Sequence, residues 1–265
     1  MRIGIIGNGF VGQAIAWAHR SDDLIIRDPK MKDSASLNQF KDCDAIFVCV
    51  PSPPVDQTLE DGHCDTSILE NTLKELLFVI LNKPIPIICK TTAPPSVYAR
   101  LQKEYPNIVH CPEFLTAADS VNDYANTPYF VLGGDYTWAV KAREVIRHGV
   151  PMDQEMLIIT PIKVAALFKY MMNSYLAMKV TFMNDFKKLA DAENVAWSDL
   201  KYLAGHDRRM GWTHMDVPGH NGEYGWGGAC FPKDVAAILS EAMDLGTELE
   251  LLGRVEDINK KHRKQ

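Results

Sequence analysis

Cys230, Lys233 and Asp234 stand within five residues of one another in the stretch YGWGGACFPKD, residues 224–234. The glycines free the backbone, and Pro232 suits the first turn of a following helix. A thiol at a helix N-terminus beside a lysine has a lowered pKa, and the thiolate is the attacking form. Asp234 is near enough to orient a water or a proton. The same spacing also reads as a buried thiol ahead of a helix. Lys169 and Asn173 are four residues apart and share one helical face. An ammonium and an amide projecting together stabilise a developing oxyanion; the pair also fits a solvent-facing stripe. A third set, Gly7, Gly9 and Gly12, forms GNGFVG between a strand signal and a helix signal. Glycines there permit a tight turn and close backbone approach, and the helix N-terminus attracts a pyrophosphate. Asp28 follows about 20 residues on, where an acid accepts the ribose hydroxyls of NAD and repels the extra phosphate of NADP. Arg27 and Lys30 beside it weigh the other way. His206, His214 and His220 precede Cys230, but a zinc site needs a tighter ligand pattern, so no metal is expected.

Positioning these groups falls to two kinds of sequence. The N-terminal part alternates strand and helix signals. Strands are expected at Arg2–Ile6, Leu24–Arg27, Ala45–Val50, Ile85–Cys89, Ile108–Cys111 and Tyr129–Leu132. Helices are expected at Phe10–His19, Ser67–Leu81 and Tyr136–His148. Alternation of this kind implies an α/β fold, a Rossmann-like doubly wound parallel sheet with right-handed crossovers. From Ile162 to about Asn194 there is no Gly or Pro, and apolar residues such as Leu167, Tyr170, Met183 and Phe186 recur at helical spacing. That predicts one long central helix of about 30 residues. A Gly- and His-rich loop follows, Gly205 to Gly228, then shorter helices over Lys233–Asp244 and Glu248–Lys264. The expected organisation is an NAD-binding domain over 1–160 and a helical dimerisation and catalytic domain over 161–265.

The 265 residues suit about two domains at roughly 150 residues each. Uninterrupted apolar runs reach only six residues, as at Leu76–Leu81, against about 20 for a membrane-spanning helix. No membrane partner is therefore expected. The net charge of −6 and the lack of a long basic stretch argue against a nucleic-acid partner. Six cysteines without CxxC spacing, and no signal-peptide pattern at the N-terminus, imply a reduced, cytoplasmic protein. Lys260, Lys261, Arg263 and Lys264 read as a solvated helix end that complements the helix dipole.

Taken together these blocks resemble the UDP-glucose/GDP-mannose dehydrogenase family, over nearly the whole chain. Its VPTP, KST-x-PPG and PEFL blocks look like Val50–Pro53, Lys90–Pro95 and Pro112–Leu115. Its helix motif matches Lys169, Asn173, Leu176 and Ala177, its D-x-R-I-G block resembles Asp207–Gly211, and its nucleophile block is matched fully at Gly227–Asp234. Members oxidise the C6 alcohol of a nucleotide sugar to a carboxylate with two NAD+. The resemblance implies that Cys230 attacks the intermediate aldehyde, giving a thiohemiacetal and then a thioester. It implies that Lys169 and Asn173 hold the C6 oxygen, that Thr92 and Asp234 position water, and that Glu113 serves the substrate or cofactor loop. Gly7, Gly9, Phe10, Val11, Gly12, Asp28, Pro51, Ser52, Thr92 and Lys233 would bind NAD. Phe114, Leu115, Arg209, Tyr224, Gly225 and Gly227 would bind the nucleotide sugar, with Arg209 reaching into the neighbouring subunit of a homodimer built on the long helix. Two departures stand out. Ala117 occupies the place of a family glutamate associated with thioester hydrolysis. The chain also resembles a compact form that lacks the C-terminal nucleotide-binding domain. Two other readings follow from these departures: a two-electron dehydrogenase on a smaller hydroxy compound, and an NAD-binding remnant or partner subunit.

Overall fold

The computed structural model describes residues 1–56, 59, 62–80, 83–116 and 119–264. The chain divides into two units: Met1–Pro53 with Cys64–Lys169, and Pro54–His63 with Tyr170–Gln265.

The first unit holds one seven-stranded sheet. Its strands are β1 (Arg2–Ile6), β2 (Asp23–Arg27), β3 (Ala45–Val48), β4 (Ile87–Cys89), β5 (Ile108–His110), β6 (Phe130–Gly134) and β7 (Leu157–Thr160), in the order β2-β1-β3-β4-β5-β6-β7. Its helices are α1 (Phe10–Ala18), α2 (Ser67–Ile80), α3 (Pro95–Glu104), α4 (Ser120–Ala125) and α5 (Tyr136–Gly149). Strand side chains alternate between two buried layers, as the two-residue period requires. Ile3, Ile5, Ala45 and Phe47 pack with Ala14, Ile15, Tyr124 and Ala139 on one face. Ile6, Ile46 and Val48 pack with Leu69, Leu73 and Tyr98 on the other. Burial on both faces explains why these strands read as continuous apolar runs.

The sequence predicts a parallel sheet, and β1 to β5 are parallel. However, β6 runs antiparallel to β5. Among the described residues the connection between them carries the six-residue α4, and it re-enters the sheet from the end it left, so no crossover is needed. The expected strand ends at Val50 and Cys111 are trimmed because the ladder stops at Val48 and His110. Helix α3 is absent from the sequence reading; proline sits in its first turn, where its missing N–H costs no hydrogen bond. The expected end of α2 at Leu81 lies outside the described residues.

The long helix α6 spans Ile162–Ala192, 31 residues, or about 46 Å. It begins in the first unit and continues into the second. Asn194 beyond its end has a positive φ of 55°, a left-handed position that asparagine tolerates. The second unit adds α7 (Trp197–His206), α8 (Phe231–Asp244) and α9 (Glu250–His262). Met183, Met215 and Val217 form its small apolar cluster, packed against Trp197, Met210 and Tyr224. Along α6, Tyr170 and Met183 are buried, but Leu167, Met171, Tyr175, Phe182, Phe186 and Leu189 are exposed. Among the described residues, no helix is long and apolar enough to cross a membrane.

Candidate active site

In the first unit four loops leave the carboxyl ends of the adjacent parallel strands β1, β3, β4 and β5, the edge where open α/β sheets bind ligands. After β1, Gly7 has φ +95°, and a Cβ there would meet the Cys49 carbonyl oxygen at 2.5 Å. A Cβ on Gly12 would sit 2.0 Å from the Gly7 oxygen, so the turn closes only with glycine at both. Gly9 is the N-cap of α1 and offers no side-chain cap. A Cβ there would have no neighbour within 4 Å, so the helix N-terminus at Phe10 and Val11 is left open to an anion. Asp28 closes the turn by accepting from the Asn8 N–H at 2.7 Å and the Lys30 N–H at 2.8 Å. These backbone donors hold its carboxyl below the usual range, so it is an ionised acceptor beside the glycine turn. Arg27 is turned away, donating to the Ala35 carbonyl at 3.0 Å. The open helix terminus and the fixed anion suit the pyrophosphate and ribose of a dinucleotide.

The next three loops are tied to one another. Ser52 Oγ donates to the Thr92 carbonyl at 2.6 Å, and Thr91 Oγ1 donates to the Val50 carbonyl at 2.7 Å. Pro51 stays exposed. Lys90 is buried, and its Nζ donates to the Pro112 carbonyl at 3.4 Å and Cys111 Sγ at 3.3 Å. Its ammonium lies 5.6 Å and 5.4 Å from the ring centroids of Tyr124 and Phe130, a cation–π setting. Lys169 Nζ donates to the Glu113 carbonyl at 2.6 Å and to Glu113 Oε1 at 3.3 Å. Glu113 Oε2 accepts from the Leu115 N–H at 2.8 Å. Lys169 is only 4% exposed, so its solvent-face alternative is excluded. Phe114 sits among Tyr129 and Phe168, and Leu115 packs on the sheet's apolar layer. Ala117 lies outside the described residues.

In the second unit Cys230 is exposed at the N-cap of α8, so the buried-thiol alternative does not hold. Its carbonyl accepts from the Asp234 N–H at 2.9 Å. Asp234 is 2% exposed. Its Oδ2 accepts from Asn173 Nδ2 at 2.5 Å, and its Oδ1 from Lys233 Nζ at 2.5 Å. Thus one buried carboxylate gathers the amide of α6 and the ammonium of α8 one turn below the thiol. Arg209 is exposed and ion-paired with Asp207 at 2.5 Å. It borders a cavity of about 200 Å³ that Tyr175, Lys179, Phe182 and Met183 also line. Tyr224 is half-buried against the small apolar cluster. Gly225 donates its N–H to Asn184 Oδ1 at 3.0 Å, and Gly227 lies under the Arg263 guanidinium. No three His, Cys, Asp or Glu residues are gathered for a metal ion among the described residues.

Lys90 enters the sequence reading only as a motif letter, and Asn184 and Asn259 do not enter it at all. A usable signal exists for Asn259: it follows Leu252 and Val255 at helical spacing, a polar side chain on the buried face of α9.

A glycine turn, an ionised acid after the second strand and a doubly wound sheet define a nicotinamide-dinucleotide-binding dehydrogenase. The chain belongs to the UDP-glucose/GDP-mannose dehydrogenase family, whose members are NAD-dependent: residues 25–148 match its NAD binding domain and residues 163–261 its central domain. It is 28% identical to YtcA of Bacillus subtilis, over 98% of this chain and 67% of that one. It is 26% identical to the UDP-glucose 6-dehydrogenase AglM of Haloferax volcanii, over 98% of this chain and 69% of the relative. It spans half of the Rhizobium meliloti UDP-glucose 6-dehydrogenase. In fold it resembles a UDP-glucose dehydrogenase of Pyrobaculum islandicum, with a TM-score of 0.79 at 22% identity, over 98% of this chain and 68% of that one. A 3-hydroxyisobutyrate dehydrogenase of Mycobacterium tuberculosis has the same fold, with a TM-score of 0.73 at 14% identity over 94% of its own chain.

Proposed function

We propose that this chain oxidises the C6 alcohol of a UDP-glucose-like nucleotide sugar to the carboxylate, with Cys230 as the nucleophile. The observation that carries this reading is the exposed Cys230 heading α8 above a buried Asp234 that holds Asn173 and Lys233. NAD, when bound at Gly7, Gly9, Phe10, Val11, Gly12 and Asp28, supplies the hydride acceptor; Pro51, Ser52 and Thr92 line the same carboxyl edge. Overall, alcohol, two NAD+ and one water give carboxylate, two NADH and three protons. The alcohol loses its first hydride and a proton to give the aldehyde. The Cys230 sulfur then bonds to the aldehyde carbon, forming a thiohemiacetal. Loss of a second hydride leaves a thioester, and water displaces the sulfur. An ammonium has three N–H donors; two of those on Lys169 serve Glu113, and the third is assigned to the C6 oxygen together with the Asn173 amide. Glu113 fixes Lys169, while Asp234 and Thr92 are assigned to the hydrolytic water. Arg209, Phe114, Leu115, Tyr224, Gly225 and Gly227 are assigned to substrate.

The reading also divides labour between an NAD-binding part, 1–160, and a dimerising, catalytic part, 161–265. The exposed apolar ridge of α6 supports a homodimer, and six cysteines without CxxC spacing support a reducing, cytoplasmic setting. A smaller hydroxy compound oxidised by two electrons is the second reading, favoured by the likeness in fold to 3-hydroxyisobutyrate dehydrogenase. NADH counted per acid formed from UDP-glucose and other nucleotide sugars tests both. Two NADH per acid supports the Cys230 route. One NADH per product, unchanged in Cys230→Ala, sinks it in favour of the second reading. NAD binding without turnover on any of these substrates leaves a remnant or a partner subunit.

A further inference from the structure

The segment that ends in Cys230 has no regular structure from Gly211 to Ala229, yet part of it is tightly held. Asn259 on α9 is 6% exposed. Its Oδ1 accepts from the Trp226 N–H at 2.7 Å, and its Nδ2 donates to the Trp226 carbonyl at 2.9 Å. A side-chain amide offers a donor and an acceptor side by side, and here both go to one residue's backbone. Asn184 on α6 takes the adjacent Gly225 N–H at 3.0 Å. The Trp226 indole N–H donates to Thr181 Oγ1 at 2.9 Å, and that hydroxyl donates to the Ala177 carbonyl at 3.0 Å. A Cβ on Gly225 would meet Asn259 Oδ1 at 2.3 Å, so the glycine is what admits the amide. One turn on, Arg263 covers Gly227 and pairs with Glu223. Beyond Trp226 only Gly227, Gly228 and Ala229 intervene before Cys230, where α8 fixes the chain again.

We infer that Asn259 is a positioning residue for Cys230: it clamps both backbone groups of Trp226 and so sets where the short glycine arm delivers the thiol. The inference rests on the nucleophile reading above. Without the clamp, three small residues, two of them glycine, link the thiol to a loop that keeps Asn184 and Thr181 as anchors but has lost both holds on the Trp226 backbone. A displacement of about 1 Å at a reacting atom costs on the order of 100-fold in rate.

The test is Asn259→Leu, which keeps the number and branching of the side-chain heavy atoms and removes both hydrogen bonds. Two readouts are taken: kcat and KM for acid formation, and the pH profile of Cys230 alkylation by iodoacetamide, resolved by peptide mass spectrometry. The expected result is a kcat lower by about 100-fold with KM within about twofold, and an alkylation profile moved to alkaline pH as the first turn of α8 frays and the thiol loses that helix terminus. A purely structural role for Asn259 lowers the melting temperature and leaves that profile in place. Asn184→Leu releases the neighbouring anchor independently and is expected to move the profile in the same direction by less. A wild-type alkylation rate and profile in both variants overturns the inference. Acid formation by Cys230→Ala overturns the nucleophile reading instead; the alkylation profile reads the clamp without reference to turnover.

Discussion

The two units hold their chemical groups in different ways. In the first, position comes from the sheet. Parallel neighbours end together, and the loops after β1, β3, β4 and β5 emerge side by side, with side chains binding the backbone of the next loop, as Ser52 does with Thr92. Among its described residues the second has no strand, and a loop of irregular backbone is pinned by a few buried amides. The first arrangement places many groups at modest cost to each single residue. The second places one thiol and depends on each anchor. Regular secondary structure therefore spreads the work of positioning, whereas an irregular loop concentrates it.

Substitutions sharpen or break that contrast. The largest effect belongs to the second unit: Cys230→Ala lowers acid formation by about 10⁴-fold, while NAD binding, measured by thermal shift, stays unchanged. Equal loss of NAD affinity would show that the two units do not work separately. Next is Lys169→Met, which strands the Glu113 carboxylate in a buried site. Removing one partner of such a pair costs about 3 kcal/mol, measurable as a lower urea midpoint at constant slope. If stability holds, the Glu113 loop is not clamped by Lys169. Gly12→Ala is third. Its Cβ falls 2.0 Å from the Gly7 oxygen, and distorting the turn raises the NAD dissociation constant by roughly 30-fold, or about 2 kcal/mol. An unchanged constant would mean that the glycine turn does not carry the cofactor.

A last effect, read as a slope over pH and not from one substitution, lies in the first unit. His110 is fully buried, with Nδ1 donating to the Cys89 carbonyl at 3.1 Å and its ring stacked on Tyr98. Burial pushes its imidazole down to about 3. The unfolded chain takes up that proton near pH 6.5, so the contribution is whole above about pH 6.5 and is lost as pH falls toward 3. The slope is about 1.4 kcal/mol per pH unit. Denaturant midpoints between pH 7 and pH 4 should show it, and His110→Asn should flatten that part of the curve.

Much of the first unit is legible from sequence because its signals are local. Strand β1 and the start of α1 fall where the apolar run and GNGFVG put them. The reversed β6 is not legible, since strand direction depends on where the chain re-enters the sheet. Lys169 and Asn173 are visible as a pair four apart, but their partners are not: one ends on Glu113 and the other on Asp234, 56 and 61 residues away. The exposure of Leu167, Met171 and Phe186 is likewise invisible in a helical apolar pattern, because periodicity defines a face and not what covers it.

By itself the sequence determined which reactive groups exist and which local frames carry them: a glycine turn before α1, a lysine and an amide on one long helix, a thiol at the head of α8. Those frames follow from short-range sterics, capping and periodicity, which act within a few residues. Only the tertiary structure decided the partners of the buried polar groups. Lys90 rests on the Pro112 carbonyl, Asp234 between Asn173 and Lys233, and Asn259 on the backbone of Trp226. A buried polar atom must find a partner or bear the cost of desolvation. In the folded chain most of these partners lie tens of residues away.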